Sequence, residues 1–151
     1  MTDTLSVATT SSIIIEQLTD LYLQLDESHL AILTAIYHPE VVFIDPISER
    51  HGVDALVHYY SQLLQKMNYC HLDIHKTLIV GDEATLFWRM SYAHPACNSG
   101  EDLELDGISY VKIVGQQIVY QRDFYDLGAM IYEHVPLLGN AVKALKNRLK
   151  Q

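Results

Sequence analysis

Between Ile13 and Leu25 the apolar residues Ile14, Leu18, Leu21, Tyr22 and Leu25 recur at spacings of three and four, which marks one buried face of a helix. Ser11 and Ser12 precede it as candidate caps, and Glu16 falls in its first turn. A second, short helix is expected over about His29 to Tyr37, because Pro39 biases His38 out of the α region. Val41 to Ile44 is a β-branched and aromatic run closed by Asp45-Pro46, which reads as a strand entering a turn. After a turn-like stretch from Ser48 to Gly52, the positions Val53, Leu56, Val57, Tyr60, Leu63, Leu64 and Met67 predict a long helix. From Tyr69 the period drops to two, predicting strands over about 69–80, 84–94, 103–114 and 117–126. Gly81-Asp82, a loop with Pro95 and Gly100, and Gly115-Gln116 separate them. Leu138, Val142, Leu145 and Leu149 then return to helical spacing, so residues 137–151 form an amphipathic helix.

Helices followed by a meander specify an α+β domain: a cone in which a curved, mostly antiparallel sheet wraps its N-terminal helices, with a helix at the C-terminus. Such a cone leaves an apolar cavity suited to a small ligand. Neither repeats nor a linker divide the chain, so residues 1–151 are read as one domain, with 1–12 expected to be flexible.

Charge narrows the partners. Nineteen acids against ten basic residues leave a net charge of −9, which disfavours nucleic acid, whose binding needs clustered cations. Lys143, Lys146, Arg148 and Lys150 concentrate four of those ten cations in the last helix, whose leucines are expected to pack on the domain or a sister subunit in a homodimer. No apolar run suits a membrane span and the first residues do not read as a secretory signal. Cys70 and Cys97 have no disulfide or metal spacing, so reduced thiols in a cytoplasmic protein are expected. His71, Asp73 and His75 share a strand face but spread over about 13 Å, too far to meet one ion, so no metal is expected. With no phosphate-cradling glycine loop, no cofactor is expected either.

The phrases H-P-E-V-V-F-I-D-P (38–46), G-V-D-A-L at the start of the long helix, and I-V-Y-Q-R-D-F-Y-D-L (118–127) resemble the nuclear transport factor two-like superfamily, also called SnoaL-like or ketosteroid isomerase-like. The last strand is also similar to that of the limonene epoxide hydrolases. That resemblance puts a catalytic aspartate at Asp123 and its bridging arginine at Arg89. It departs where the second aspartate falls on Ser91 and the water-holding tyrosine and asparagine fall on Phe43 and Asp45.

Read from the residues, Arg89 lies in the apolar stretch Leu86 to Met90 and needs a carboxylate partner if buried. Alternation puts Phe87, Arg89 and Ser91 on one face; the resemblance implies that this face is concave, with Asp123 opposite. Asp45 is either a turn-former before Pro46 or a general base at the cavity mouth. Asp106 is expected to point away from the cavity unless Gly107 marks a bulge. Asp123, Asp45 and Arg89 are therefore the candidate catalytic residues, with Tyr22, Phe43, Ser91, Leu105, Gly107 and Tyr125 as candidate pocket residues. Two carboxylates and an arginine could hold a water, remove a proton beside a carbonyl, or orient a hydroxyl. The reading is a pocket protein for a small apolar molecule, acting by acid–base chemistry on a cyclic substrate, or else a non-catalytic binding or interaction domain.

Overall fold

A computed structural model describes residues 9–130 and 132–150. Helix α1 (Thr10–Leu23) is capped by Thr9, whose hydroxyl accepts the Ser12 amide at 3.1 Å. The expected cap Ser11 instead donates to the Gly81 carbonyl at 2.9 Å, tying the helix to a strand turn. Residues 10–12 of the segment expected to be flexible form the first turn of this helix, and residues 1–8 lie outside the described residues. A 3₁₀ turn (Glu27–Ile32) and α2 (Leu33–Ile36) replace the single second helix. Strand β1 (Tyr37–Ile44) starts earlier than its apolar run, because the chain is already extended two residues before Pro39.

The stretch read as a turn contains a short strand, β2 (Glu49–His51), before α3 (Val53–Lys66). Gly52 makes that junction: its φ of +90° favours glycine, and its amide donates to the Val41 carbonyl at 2.8 Å. The four long strands fall where period two places them: β3 (Tyr69–Val80), β4 (Glu83–Ala93), β5 (Leu103–Val114) and β6 (Gln117–Tyr125). Helix α4 (Leu127–Met130) and a 3₁₀ turn (Tyr132–His134) lead to α5 (Leu138–Arg148).

The sheet order is β2-β1-β6-β5-β4-β3, with β1 parallel to β6 and every other pair antiparallel. Irregularities between Ile74 and Lys76, Lys112 and Ile113, and Tyr37 and Val42 interrupt the register, and bulges of this kind bend a sheet. The curved, unclosed sheet receives α1 and α3 on its concave side. There Leu18, Leu33 and Leu56 are 0% exposed, each burial contributing roughly 1.5–3 kcal/mol. Helix α5 is anchored by Lys146, which meets Asp126 at 2.6 Å and Glu133 at 3.3 Å. Its leucines do not pack on the domain: Leu138, Leu145 and Leu149 are exposed. Among the described residues, no helix is long and apolar enough to cross a membrane.

Candidate functional site

Strand β6 sends Gln121, Asp123 and Tyr125 inward by simple alternation, and β5 sets Ser109 opposite Asp123 and Gly107 opposite Tyr125. The parallel pairing of β1 with β6 brings Ile44 level with Arg122, so Asp45 arrives beside Asp123. Asp123 is held by one oxygen: Oδ1 accepts from Ser109 Oγ at 2.6 Å and from Gln121 Nε2 at 2.9 Å. Ser109 in turn accepts the Trp88 indole N–H at 2.9 Å. Both hydrogen bonds fall on Oδ1, Oδ2 has no partner among the described residues, and Asp123 keeps some accessible surface within the cone. Burial is the main force on its titration, raising it to about 6 against the lowering effect of the two hydrogen bonds, with the Asp45 charge adding to the rise.

Behind Asp123 lies a closed polar cluster. Tyr37 donates to Gln121 Oε1 at 2.6 Å, and Gln121 Nε2 also donates to the Tyr22 hydroxyl at 3.1 Å. Tyr22 further meets the hydroxyls of Tyr60 at 3.1 Å and Tyr37 at 3.3 Å. A proton order of Tyr60 to Tyr22 to Tyr37 to Gln121 to Asp123 satisfies every member. Burial pushes the Tyr22 phenol up to about 12, so it stays protonated and neutral. Gln121 is therefore the keystone, and it is 0% exposed. Gln121→Leu is expected to destabilise the protein by about 1–3 kcal/mol, because it takes the 2.6 Å acceptor from the Tyr37 hydroxyl, which keeps only its 3.3 Å contact with Tyr22, and removes a donor from Asp123. A urea melt of the variant checks this, and Tyr37→Phe in the same background should recover part of the loss.

Asp45 is both a turn-former and an ion-pair partner. Its Oδ1 accepts the amides of Ile47 at 2.8 Å and Ser48 at 2.9 Å, and Oδ2 meets Arg50 Nη1 at 3.1 Å. The Arg50 guanidinium stacks 3.6 Å above the Tyr59 ring, and Tyr59 neighbours both Asp45 and Tyr125. Burial and the Asp45 charge hold the phenols of Tyr59 and Tyr125 well above their ordinary range.

Two expectations are corrected. Arg89 does not meet Asp123: it stands on the outer face, where Nε binds Asp106 Oδ1 at 2.8 Å and Nη2 binds Oδ2 at 3.2 Å, with Glu104 at 3.9 Å. The alternation was right and the facing was not, because Trp88, Met90 and Tyr92 take the buried side. Ser91 shares the outer face with Arg89, opposite exposed Glu104, and leaves the pocket with it. Asp106 points outward as expected. Tyr22, Phe43 and Leu105 are buried on the concave side, Phe43 within 6.0 Å of the Tyr59 ring centre and 6.2 Å of that of Tyr60. Gly107 lies under the Trp88 indole, and Tyr125 faces Trp88 with ring centres 6.1 Å apart.

Open space adjoins Arg50 and Tyr59, to one side of this cluster. A cavity of about 410 Å³ is bounded by Arg50 and Tyr59, by Leu63, Lys66 and Met67 toward the end of α3, and by His94 after β4. Sequence reasoning missed Gln121, Ser109, Arg50 and Tyr59. Gln121 and Ser109 were detectable as polar side chains at inward positions of strands; Arg50 was hidden in a stretch without strand periodicity.

A family model for the SnoaL-like domain matches residues 18–121. The chain belongs to this family. The SnoaL-like matched region runs from α1 into β6, so it includes Gln121 and ends two residues short of Asp123. Among solved structures, a Jannaschia sp. CCS1 protein assigned as a SnoaL-like polyketide cyclase is similar at 13% identity and TM-score 0.75, covering 90% of this chain and 99% of that one. A nuclear transport factor two-like protein of unknown function from Burkholderia pseudomallei K96243 aligns at 13% identity and TM-score 0.72, over 82% and 96% of the two chains. TerC, crystallised with polyporic acid, aligns at 15% identity and TM-score 0.68, over 81% and 95%. No curated protein matches at a significant level. At these identities the structures share the fold, and fold alone does not select an activity.

Proposed function

We propose that this SnoaL-like protein is an acid–base enzyme acting on a small molecule, with Asp123 as the proton acceptor. The observation that carries the reading is the state of that carboxyl group. It is set in the cone, raised to about 6, fixed through Oδ1, and without a hydrogen-bond partner at Oδ2 among the described residues. A base of this kind is ionised at neutral pH yet far more basic than an ordinary aspartate. Ser109 and Gln121 set its orientation, and Asp45, itself clamped by Arg50 and two amides, is a positioning charge rather than a second acid. Tyr125, two residues along on the same face, supplies a phenol that stays protonated and can donate to an oxygen gaining charge. Removal of a proton beside a carbonyl is the step this set suits: the C–H proton passes to Oδ2, its electron pair moves into the enolate, and the enolate oxygen takes the Tyr125 hydrogen bond. The arginine-bridged pair of acids of an epoxide hydrolase is not assembled, since Arg89 and Ser91 stand outside.

Deuterium uptake from D₂O into a panel of cyclic ketones and 1,3-dicarbonyl compounds, followed by NMR, tests this. The intact protein is expected to accelerate exchange of at least one compound, with a rate that rises as pH passes about 6. Asp123→Asn is expected to remove about 10²–10⁴-fold of that rate. Exchange unaffected by the substitution overturns the reading.

One observation favours a second reading, a non-catalytic binding domain. Tyr22, Tyr37, Phe43, Tyr60 and Trp88 fill the cone behind Asp123, and the open cavity borders Arg50 and Tyr59 instead. Ligand binding with no exchange of any compound in the panel would support that reading.

A further inference from the structure

The cavity beside the Asp123 cluster has a polarity opposite to that of the chain. In a protein of net charge −9, no Asp or Glu borders it among the described residues, while Arg50, Lys66 and His94 do. Arg50 is largely buried, with its side chain 15% exposed. Asp45 engages only Nη1, so four of its five N–H donors are left to other acceptors. Lys66 closes the last turn of α3 and has no carboxylate partner among the described residues. His94 accepts the Ala96 amide on Nδ1 at 3.0 Å, which places the proton of the neutral ring on Nε2 as a further donor. The rest of the lining is largely hydrocarbon and thioether: Leu63, Met67, Met130 and Val135, with the Tyr92 ring. About 410 Å³ sits at the small end of the range for ligand cavities.

We infer that this cavity binds a small organic anion, its carboxylate received by Arg50, Lys66 and His94 and its hydrocarbon or aromatic body laid against Leu63, Met67 and Met130. A carboxylate matches the set because Arg50, Lys66 and His94 bring N–H donors to a cavity whose lining is otherwise mostly apolar and holds no carboxylate among the described residues, and a guanidinium with free N–H groups favours a planar, two-oxygen acceptor. Asp123 does not line this cavity, to which the stacked Arg50 and Tyr59 both contribute. The inference names a ligand class for the neighbour of the proposed catalytic group and stands or falls on binding alone.

Calorimetric titration of the full chain with 2-naphthoate and with decanoate, each against its primary amide, tests it. At least one carboxylate is expected to bind about tenfold more tightly than its amide, the scale of a charge-assisted contact. Lys66→Met is expected to erase most of that preference while Lys66→Arg retains it; both act at an exposed position, so folding is not at stake. Ala96→Trp, on an exposed loop at the rim, is expected to block acid and amide alike. Asp123→Asn is expected to leave the preference intact, so failure of the Asp123 reading is seen separately. Equal affinity for acid and amide, a preference indifferent to Lys66→Met, or no binding of either carboxylate overturns the inference.

Discussion

Asp123→Asn is expected to make the protein more stable at pH 7.5, by about 3 kcal/mol, and to leave stability nearly unchanged at pH 4. The carboxyl titrates at about 6 in the fold and near 3.9 in the unfolded chain. Between those values the native state binds the extra proton, so the stability Asp123 contributes is complete below about 4 and is lost as pH rises through 6. Two pKa units correspond to about 3 kcal/mol, the cost of keeping the charge in the cone at neutral pH. Asparagine keeps the oxygen that Ser109 and Gln121 address and carries no charge, so it escapes that cost. For a chain of this length the gain appears as a rise in Tm of roughly 6–12 °C at pH 7.5. The comparison is made as variant minus wild type at each pH. Asp26, Asp106 and Asp126 are held below their ordinary values and push the whole-protein profile the other way, since their stabilisation is lost as pH falls. Equal stability of the two proteins at pH 7.5 would show that Asp123 carries no desolvation cost.

Gly107→Ala is expected to destabilise by about 3 kcal/mol or more, although it adds a single methyl group at an ordinary strand position. A Cβ built there meets the Trp88 ring at 2.2 Å for two of its carbons and 2.7 Å for a third. The indole is rigid and 3% exposed, so it cannot swing aside as a flexible chain end could. Its displacement breaks the 2.9 Å bond to Ser109, whose hydroxyl orients Asp123 at 2.6 Å. A core clash therefore becomes a fault in the site, and the carboxyl titration should shift with the loss of stability. Denaturant unfolding measures the first effect and NMR of the Asp123 carboxyl the second. A fully stable Gly107→Ala protein would mean that the Trp88 contact is not formed.

The fold was legible because its periodicities are strong. The β3 to β6 strands alternate cleanly enough that their limits are readable to within about a residue, and α3 follows from its apolar face. The inward set of β5, from Leu105 through Gly107 and Ser109 to Ile113, was also readable, as was outward Asp106. What alternation cannot reveal is which face is concave. For β4, one face held Arg89 among aromatic and small residues, and the other held Trp88, Met90 and Tyr92. Only the cross-strand pair with Asp106 shows that arginine and aspartate satisfy each other at the surface. Strand β2 was invisible because three residues carry no period and its end depends on the Gly52 backbone. The tyrosine cluster needed tertiary structure: Tyr22, Tyr37, Tyr60 and Gln121 come from four different elements, and each alone reads as an ordinary core-edge residue.

The most direct test of the account is the titration of the Asp123 carboxyl carbon by ¹³C NMR, assigned by its loss in Asp123→Asn. A midpoint near 6 is expected, moving upward in Gln121→Leu as a donor to Oδ1 is removed. A midpoint at or below about 4, that of an ordinary aspartate, would contradict the account, because it would leave Asp123 a solvated or fully compensated carboxylate with no special basicity.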